Sequence, residues 1–239
     1  MRFFTKVKEL FAHAMEGYTC DCCGREVFSY PSRRLCERCE SKMIENDGRT
    51  CEKCGRAMKA EGLCLACKTD PPEFSKAFSP FVYHGEIAFL INRFKEGDKY
   101  LSSYFAEEMA KSLSELVFAE PPLLVPVPIT IEKRKKRGFN QSEELVKKLA
   151  GLTGYPFETG VLVKVREGEQ KRLSAKERRE KIHGTIRVKM RKVCAGKTIV
   201  VVDDIMTTGA TGGECARVLL NAGAKEVYFL TACSLPQRE

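Results

Sequence analysis

No apolar run in this 239-residue chain is longer than a strand, so the sequence offers no membrane span. The N-terminus also lacks an uninterrupted apolar core with a small-residue cleavage site, so no secretory signal is read there. Histidine is scarce, at three residues. His13 and His84 have no partners in sequence and read as surface or packing side chains. With no export signal, a reducing, cytoplasmic setting is expected. The twelve cysteines then read as metal ligands rather than disulfides.

The length has room for one α/β domain and a small second module. The net charge of +9 is unevenly spread. Residues 164–193 hold twelve Lys/Arg against four Glu, and Lys133 to Arg137 is an uninterrupted basic run of five. Such clustering points to a polyanionic ligand: nucleic acid, pyrophosphate, or both. A solvated loop is the plain alternative for the run taken alone.

Four C-x-x-C pairs lie near the N-terminus: Cys20/Cys23, Cys36/Cys39, Cys51/Cys54 and Cys64/Cys67. One pair could be a redox dithiol, but four at these spacings read as two Cys₄ zinc sites. The segment has few large apolar residues, and metal binding would supply folding energy on the order of 10 kcal/mol. Gly24 and Gly55 directly follow the first and third pairs, where a glycine allows a tight turn beneath a thiolate. This alternation favours tandem ribbons, Cys20/Cys23 with Cys36/Cys39 and Cys51/Cys54 with Cys64/Cys67. An interleaved pairing remains the alternative, and Cys22 reads as a spectator. The expected organisation is an amphipathic helix in 1–17, a double zinc ribbon in 18–70 and an α/β domain in 71–239.

Further along, a short strand is expected at Phe78 to Tyr83 and a helix at Tyr100 to Phe118. From Leu123, strands and helices alternate. The expected order is a strand at Leu123 to Val127, a basic loop at Thr130 to Phe139 and a helix at Ser142 to Leu152. Strands follow at Phe157 to Val163 and at Thr185 to Val188. Pro126 and Pro128 restrict the Leu123 strand to an edge or its end. Such alternation argues for a parallel, doubly wound sheet with its ligand beyond the strands' carboxyl ends.

Thr198 to Gly212 carries the densest chemistry. Ile199 to Val202 has the continuous apolar character of a strand buried on both faces. It ends in Asp203 and Asp204, suited to vicinal hydroxyls or to a Mg²⁺. Thr207, Thr208, Gly209, Ala210 and Thr211 then offer backbone N–H groups and hydroxyls at a helix N-terminus, where a phosphate is favoured. Arg134 and Arg137 could grip pyrophosphate oxygens bidentately.

These motifs resemble the ComF family: competence-associated proteins with an N-terminal double zinc ribbon and a type I phosphoribosyltransferase-like domain. The similarity covers about residues 20–234. It includes the four C-x-x-C pairs, Tyr83-His-Gly85 with Phe94-Lys95, Val125-Pro-Val-Pro128, Arg137-Gly-Phe-Asn-Gln141, Gln170 with Leu173 and Arg178, and Val202 to Thr211. The resemblance implies a type I phosphoribosyltransferase-like parallel sheet flanked by helices. Asp203 and Asp204 would hold the ribose of phosphoribosyl pyrophosphate (PRPP) with Mg²⁺, and Thr207 to Thr211 its 5′-phosphate. Lys133, Arg134, Arg137 and Asn140 would face pyrophosphate or DNA, with Gln170 and Arg178 on a flap. Two departures stand out. Lys181 replaces the usual flap Asn, and Thr207 stands where purine-salvage relatives carry a carboxylate. A threonine cannot serve as a general acid or base at neutral pH.

Three functional readings follow. One is a PRPP-binding protein of DNA uptake that contacts single-stranded DNA, with Phe139 beside the basic run as a stacking surface and a DNA-translocating helicase as partner. The others are an active phosphoribosyltransferase on an unidentified acceptor and a PRPP-sensing regulatory module.

Overall fold

The computed structural model describes residues 18–27, 35–46, 48–166 and 181–236. The helix expected in 1–17 and the flap residues Gln170 and Arg178 lie outside them.

Strands β1 (Tyr18–Thr19) and β2 (Glu26–Val27) pair antiparallel around the first cysteine knuckle. Helical turns α1 (Glu37–Glu40) and α2 (Leu65–Thr69) each start after a cysteine, Cys36 and Cys64. Then come β3 (Ala77–Phe78), β4 (Phe81–Val82), α3 (Gly85–Glu96) and α4 (Leu101–Ser114). The remainder runs β5 (Leu123–Pro126), α5 (Ile131–Arg137), α6 (Gln141–Thr153), β6 (Leu162–Lys164), β7 (Ile186–Val188) and α7 (Arg191–Cys194). It closes with β8 (Thr198–Met206), α8 (Ala210–Leu220) and β9 (Glu226–Ser234).

The main sheet is parallel throughout. β8 lies between β5 and β9, and β3 and β4 both pair with the far side of β9. The expected Phe78 to Tyr83 strand is thus two pieces, interrupted at Ser79-Pro80 because proline has no N–H for the ladder. Asn46 satisfies the carbonyls left over: its N–H donates to the Pro80 oxygen and its Nδ2 to that of Ser79. β5, which ends in Pro126, takes the sheet edge.

The β8 run is buried on both faces, and its alternate residues divide between two cores. Val200 and Val202 pack with α3, α4 and α6; Ile199 and Val201 pack with α8 and the β6–β7 hairpin. The four-cysteine groups divide likewise: Cys20 and Cys39 join the first core, and Cys51, Cys54, Cys64 and Cys67 the second. On that second side α8 lies very close to the sheet. A Cβ built on Gly212 would sit 2.4 Å from the Phe229 ring. Gly212→Ala is therefore expected to cost about 1–3 kcal/mol. A urea midpoint equal to that of the wild type would contradict this packing.

Two sequence expectations are corrected. Phe157 to Val163 is not a sheet strand. Glu158 accepts from the Gly160 N–H at 3.2 Å, a local turn, and Phe157 keeps a single bridge to Leu124. Past that turn β6 pairs antiparallel with β7, as a hairpin apart from the main sheet. The basic run is also not a loop but the helix α5. Thr130 caps it by accepting from the Lys133 N–H, and Gly138 ends it with φ +78°. Glu132 in the first turn and four cations in the last match the helix dipole.

Candidate functional site

The carboxyl ends of β5 and β8 open onto a cleft of about 180 Å³. Asp203, Asp204, Thr207, Thr208, Ala210 and Thr211 line one side. Lys133, Arg137, Gln141 and Ser142 come from α5 and α6, Lys164 from β6 and Lys95 from the end of α3. Carboxylates, hydroxyls and cations from distant parts of the chain thus meet in one place.

The two aspartates have different environments. Asp203 Oδ1 accepts from Ser142 Oγ at 2.8 Å and from the Asp204 backbone N–H at 2.9 Å. Asp204 is buried and its Oδ2 lies 3.2 Å from Lys95 Nζ. Desolvation by the surrounding protein, with the Asp204 charge beside it, pushes the Asp203 carboxyl up to about 7. The hydrogen bonds and Lys95 act in the opposite direction but do not prevail.

A carboxyl whose folded pKa is raised carries no penalty below its ordinary value of 3.8, and costs stability as pH rises through about 7. Asp203→Asn keeps an oxygen for both donors without the charge. It is expected to stabilise the ligand-free protein by roughly 1–3 kcal/mol at pH 8, with the difference fading toward pH 4.5. Urea unfolding at the two pH values checks this, and a variant less stable at pH 8 would overturn it.

In the cradle, Gly209 takes φ +78° as the residue before α8. Among the described residues, no protein acceptor meets the N–H groups of Thr207, Thr208, Gly209 or Thr211. Four donors gathered at the start of an eleven-residue helix form an anion site.

Not every residue of the basic run reaches the cleft. On a helix, five consecutive residues point around most of the axis. Lys133 and Arg137, four apart, share the face toward the cleft. Arg137 also donates to Gln141 Oε1 at 3.0 Å. Arg134 is turned away and makes two 2.7 Å hydrogen bonds to Glu143. Asn140 is buried as the cap of α6, donating to the Val127 carbonyl and accepting from the Ser142 N–H. Phe139, read as a stacking surface, is core. It is 4% exposed, 5.9 Å from the Phe94 ring, and Lys99 lies over it at 4.8 Å.

Each four-cysteine group brings its sulfurs within 4.8 Å of one another in the tandem pairing. Cys23 to Cys36 and Cys54 to Cys64 are 3.8 Å apart. Four sulfurs about 2.3 Å from one tetrahedral ion would be about 3.8 Å apart. The second and third cysteines of each group match this distance, and an all-sulfur donor set suits Zn²⁺. The Cys36 and Cys64 N–H groups donate to Cys20 and Cys51 sulfurs at 3.4 and 3.3 Å. Gly24 and Gly55, both at positive φ, donate to the carbonyls of Cys20 and Cys51, forming the tight turns expected of them. Each group could hold a zinc ion as a four-sulfur structural site.

Sequence reasoning missed Lys95, Ser142, Lys164 and Arg56, the last hydrogen-bonded to the Thr207 carbonyl. Lys95 stood in sequence only within the Phe94-Lys95 match, with no role attached, and its place in the last turn of α3 is explained equally well by dipole pairing. No helix among the described residues is long and apolar enough to cross a membrane.

Residues 99–239 match the phosphoribosyl transferase domain family. The chain is 26% identical to the competence protein ComFC of Bacillus subtilis over 200 residues, covering 81% of this chain and 80% of that protein. It is 27% identical to the DNA utilization protein YhgH of Escherichia coli K12, with coverages of 83% and 89%. Against competence protein F of Haemophilus influenzae the identity is 25%, with 90% of each covered. Among solved structures, glutamine PRPP amidotransferase from B. subtilis aligns with a TM-score of 0.36 and 26% identity. That alignment covers 54% of this chain and about a quarter of the enzyme, 26%.

Proposed function

The chain is a ComF-like member of the phosphoribosyl transferase domain family, and from that premise we propose that it binds PRPP with Mg²⁺ and handles single-stranded DNA during DNA uptake. Asp203 and Asp204 take the ribose hydroxyls or the ion, and the cradle from Thr207 to Thr211 takes the 5′-phosphate. Lys133, Arg137 and Lys164 meet the pyrophosphate or the DNA backbone. The observation that carries this reading is the meeting of carboxylate pair, open amide cradle and cations in one cleft. The names of the relatives, which speak of competence and DNA utilization, supply the DNA side. The zinc sites would supply structure rather than chemistry.

A titration of single-stranded DNA with and without PRPP–Mg²⁺ tests the proposal. If the cations of the run other than Arg134, which is paired with Glu143, all meet the strand's phosphates, the log–log salt slope for single strands is about −3. PRPP–Mg²⁺ is expected to shift the DNA affinity, because both ligands need the same cations. A slope near zero, or no PRPP binding, sinks the reading.

One observation favours a second reading, an active phosphoribosyltransferase. An Asp203 carboxyl at about 7 can exchange a proton near neutrality. Pyrophosphate release that disappears in Asp203→Asn would support turnover. PRPP binding without release under any acceptor leaves the binding role.

A further inference from the structure

The second four-cysteine site and the phosphate cradle share one side chain. Arg56 follows Gly55, whose φ of +63° turns the chain back under the sulfurs. Its Nε–H donates to Cys54 Sγ at 3.4 Å and its Nη2 to Cys64 Sγ at 3.7 Å. Its Nη1 donates to the Thr207 carbonyl oxygen at 3.3 Å, 151 residues along the chain. A guanidinium is a rigid planar fork, so these three bonds fix one another's directions.

What lies across the Thr207 peptide gives this contact its consequence. The peptide unit is planar and trans, so its C=O and N–H point in opposite directions. With the Thr207 oxygen held on the Arg56 side, the Thr208 N–H is held pointing away from it, and this N–H is one of the open donors of the cradle. Half a turn of this peptide would instead present a carbonyl oxygen there, and an anion would be repelled. At its far end the cradle is braced separately. The Phe74 ring lies 3.6 Å from where a Gly209 Cβ would be, and it stacks on Phe229.

We infer that Arg56 is a positioning residue that couples the metal state of the Cys51/Cys54/Cys64/Cys67 site to the phosphate affinity of the cradle. With the ion bound, the Cys54–Cys64 edge is fixed, Arg56 is fixed upon it, and the Thr207–Thr208 peptide keeps its donor orientation. With the ion removed, the sulfurs separate and the peptide is free to turn. The ligand class is the phosphomonoester end of a ribose phosphate, so the inference rests on the phosphosugar reading of the cleft.

The probe is ribose 5-phosphate, titrated into the full chain as wild type, Arg56→Gln and Arg56→Lys, with zinc content measured on each. Both variants are expected to retain zinc at both sites and to bind about 10- to 30-fold more weakly. Lysine should not rescue binding, because one ammonium cannot hold sulfur and carbonyl in a fixed fork. Removing zinc from the wild type should produce a similar loss, and removing it from Arg56→Gln should add little, the non-additivity of two steps on one path. Arg56→Gln with full zinc and wild-type affinity overturns the inference. If that variant loses zinc, hydrogen exchange on the stripped wild type decides. Exchange that rises further at Thr207 and Thr208 than along β3 and the rest of the sheet edge supports the coupling, and a rise there no greater than along that edge overturns it. A wild type that binds no ribose 5-phosphate sinks the phosphosugar reading itself, a result distinct from a wild type that binds while the variants are unaffected.

Discussion

Replacing both Asp203 and Asp204 by asparagine is expected to lower the affinity for PRPP–Mg²⁺ by at least about 100-fold while leaving the fold intact. A charge-assisted contact contributes about 1.5–3 kcal/mol, so two lost together amount to roughly 10²- to 10⁴-fold. The fold survives because asparagine can still accept from Ser142 Oγ and the Asp204 N–H. Lys95, with a quarter of its side chain exposed at 25%, can exchange Asp204 for water. The loss is then one of binding, visible as vanished heat on calorimetric titration with the urea midpoint kept or raised. Binding should also weaken in the wild type as pH falls below about 7, because protonated Asp203 is a poor partner for a cation. Arg134→Gln is the contrast. That side chain is turned to Glu143, so PRPP affinity should change less than about twofold, within what a surface pair is worth. Equal losses from the two changes would mean the phosphosugar lies along α5 and not at the aspartates.

The legible part of this site is contiguous in sequence. Asp203, Asp204 and the cradle lie within nine residues of one strand–loop–helix unit. The apolar run before them and the helix after them fix where they must sit. The cysteine knuckles were legible for a similar reason, since ligand spacing and the glycine behind the first and third pairs are local properties. The cations were legible in type but not in direction. Composition flagged Lys133 to Arg137, yet only a helix rather than a loop sends Lys133 and Arg137 one way and Arg134 another. Thr130 and Gly138, the capping residues at either end, were the overlooked sign of that helix. Phe139 misled because an aromatic beside a basic run suggests stacking, whereas its burial is decided by Phe94 and Lys99 from another helix and its following turn. The contacts that Lys95 and Arg56 make were illegible for the same reason. Each acts on a group over a hundred residues away, and no local pattern encodes that meeting.

The same long-range packing predicts that the two metal sites are unequal. Cys64→Ser is expected to destabilise the whole domain by more than about 3 kcal/mol, and Cys23→Ser to do much less. The second site is closed: Cys51, Cys54, Cys64 and Cys67 are all 4% exposed or less and share a core with Phe74, Ala77 and Phe229. Gly55 presses so closely on β3 that a Cβ there would lie 2.2 Å from the Ala77 oxygen. A weakened ion at this site therefore loosens the edge of the main sheet as well as the knuckle. Cys23 in the first site is exposed and Cys36 half-buried, so water can reach that sulfur cluster and loosening there spreads less. Phosphate affinity should follow the same asymmetry, because only the second site is tied through Arg56 to Thr207. Thermal unfolding with zinc content, followed by ribose 5-phosphate titration of both variants, measures all three effects. Should Cys23→Ser prove as costly to stability and to phosphate binding as Cys64→Ser, the sheet-side site holds no special place in the fold.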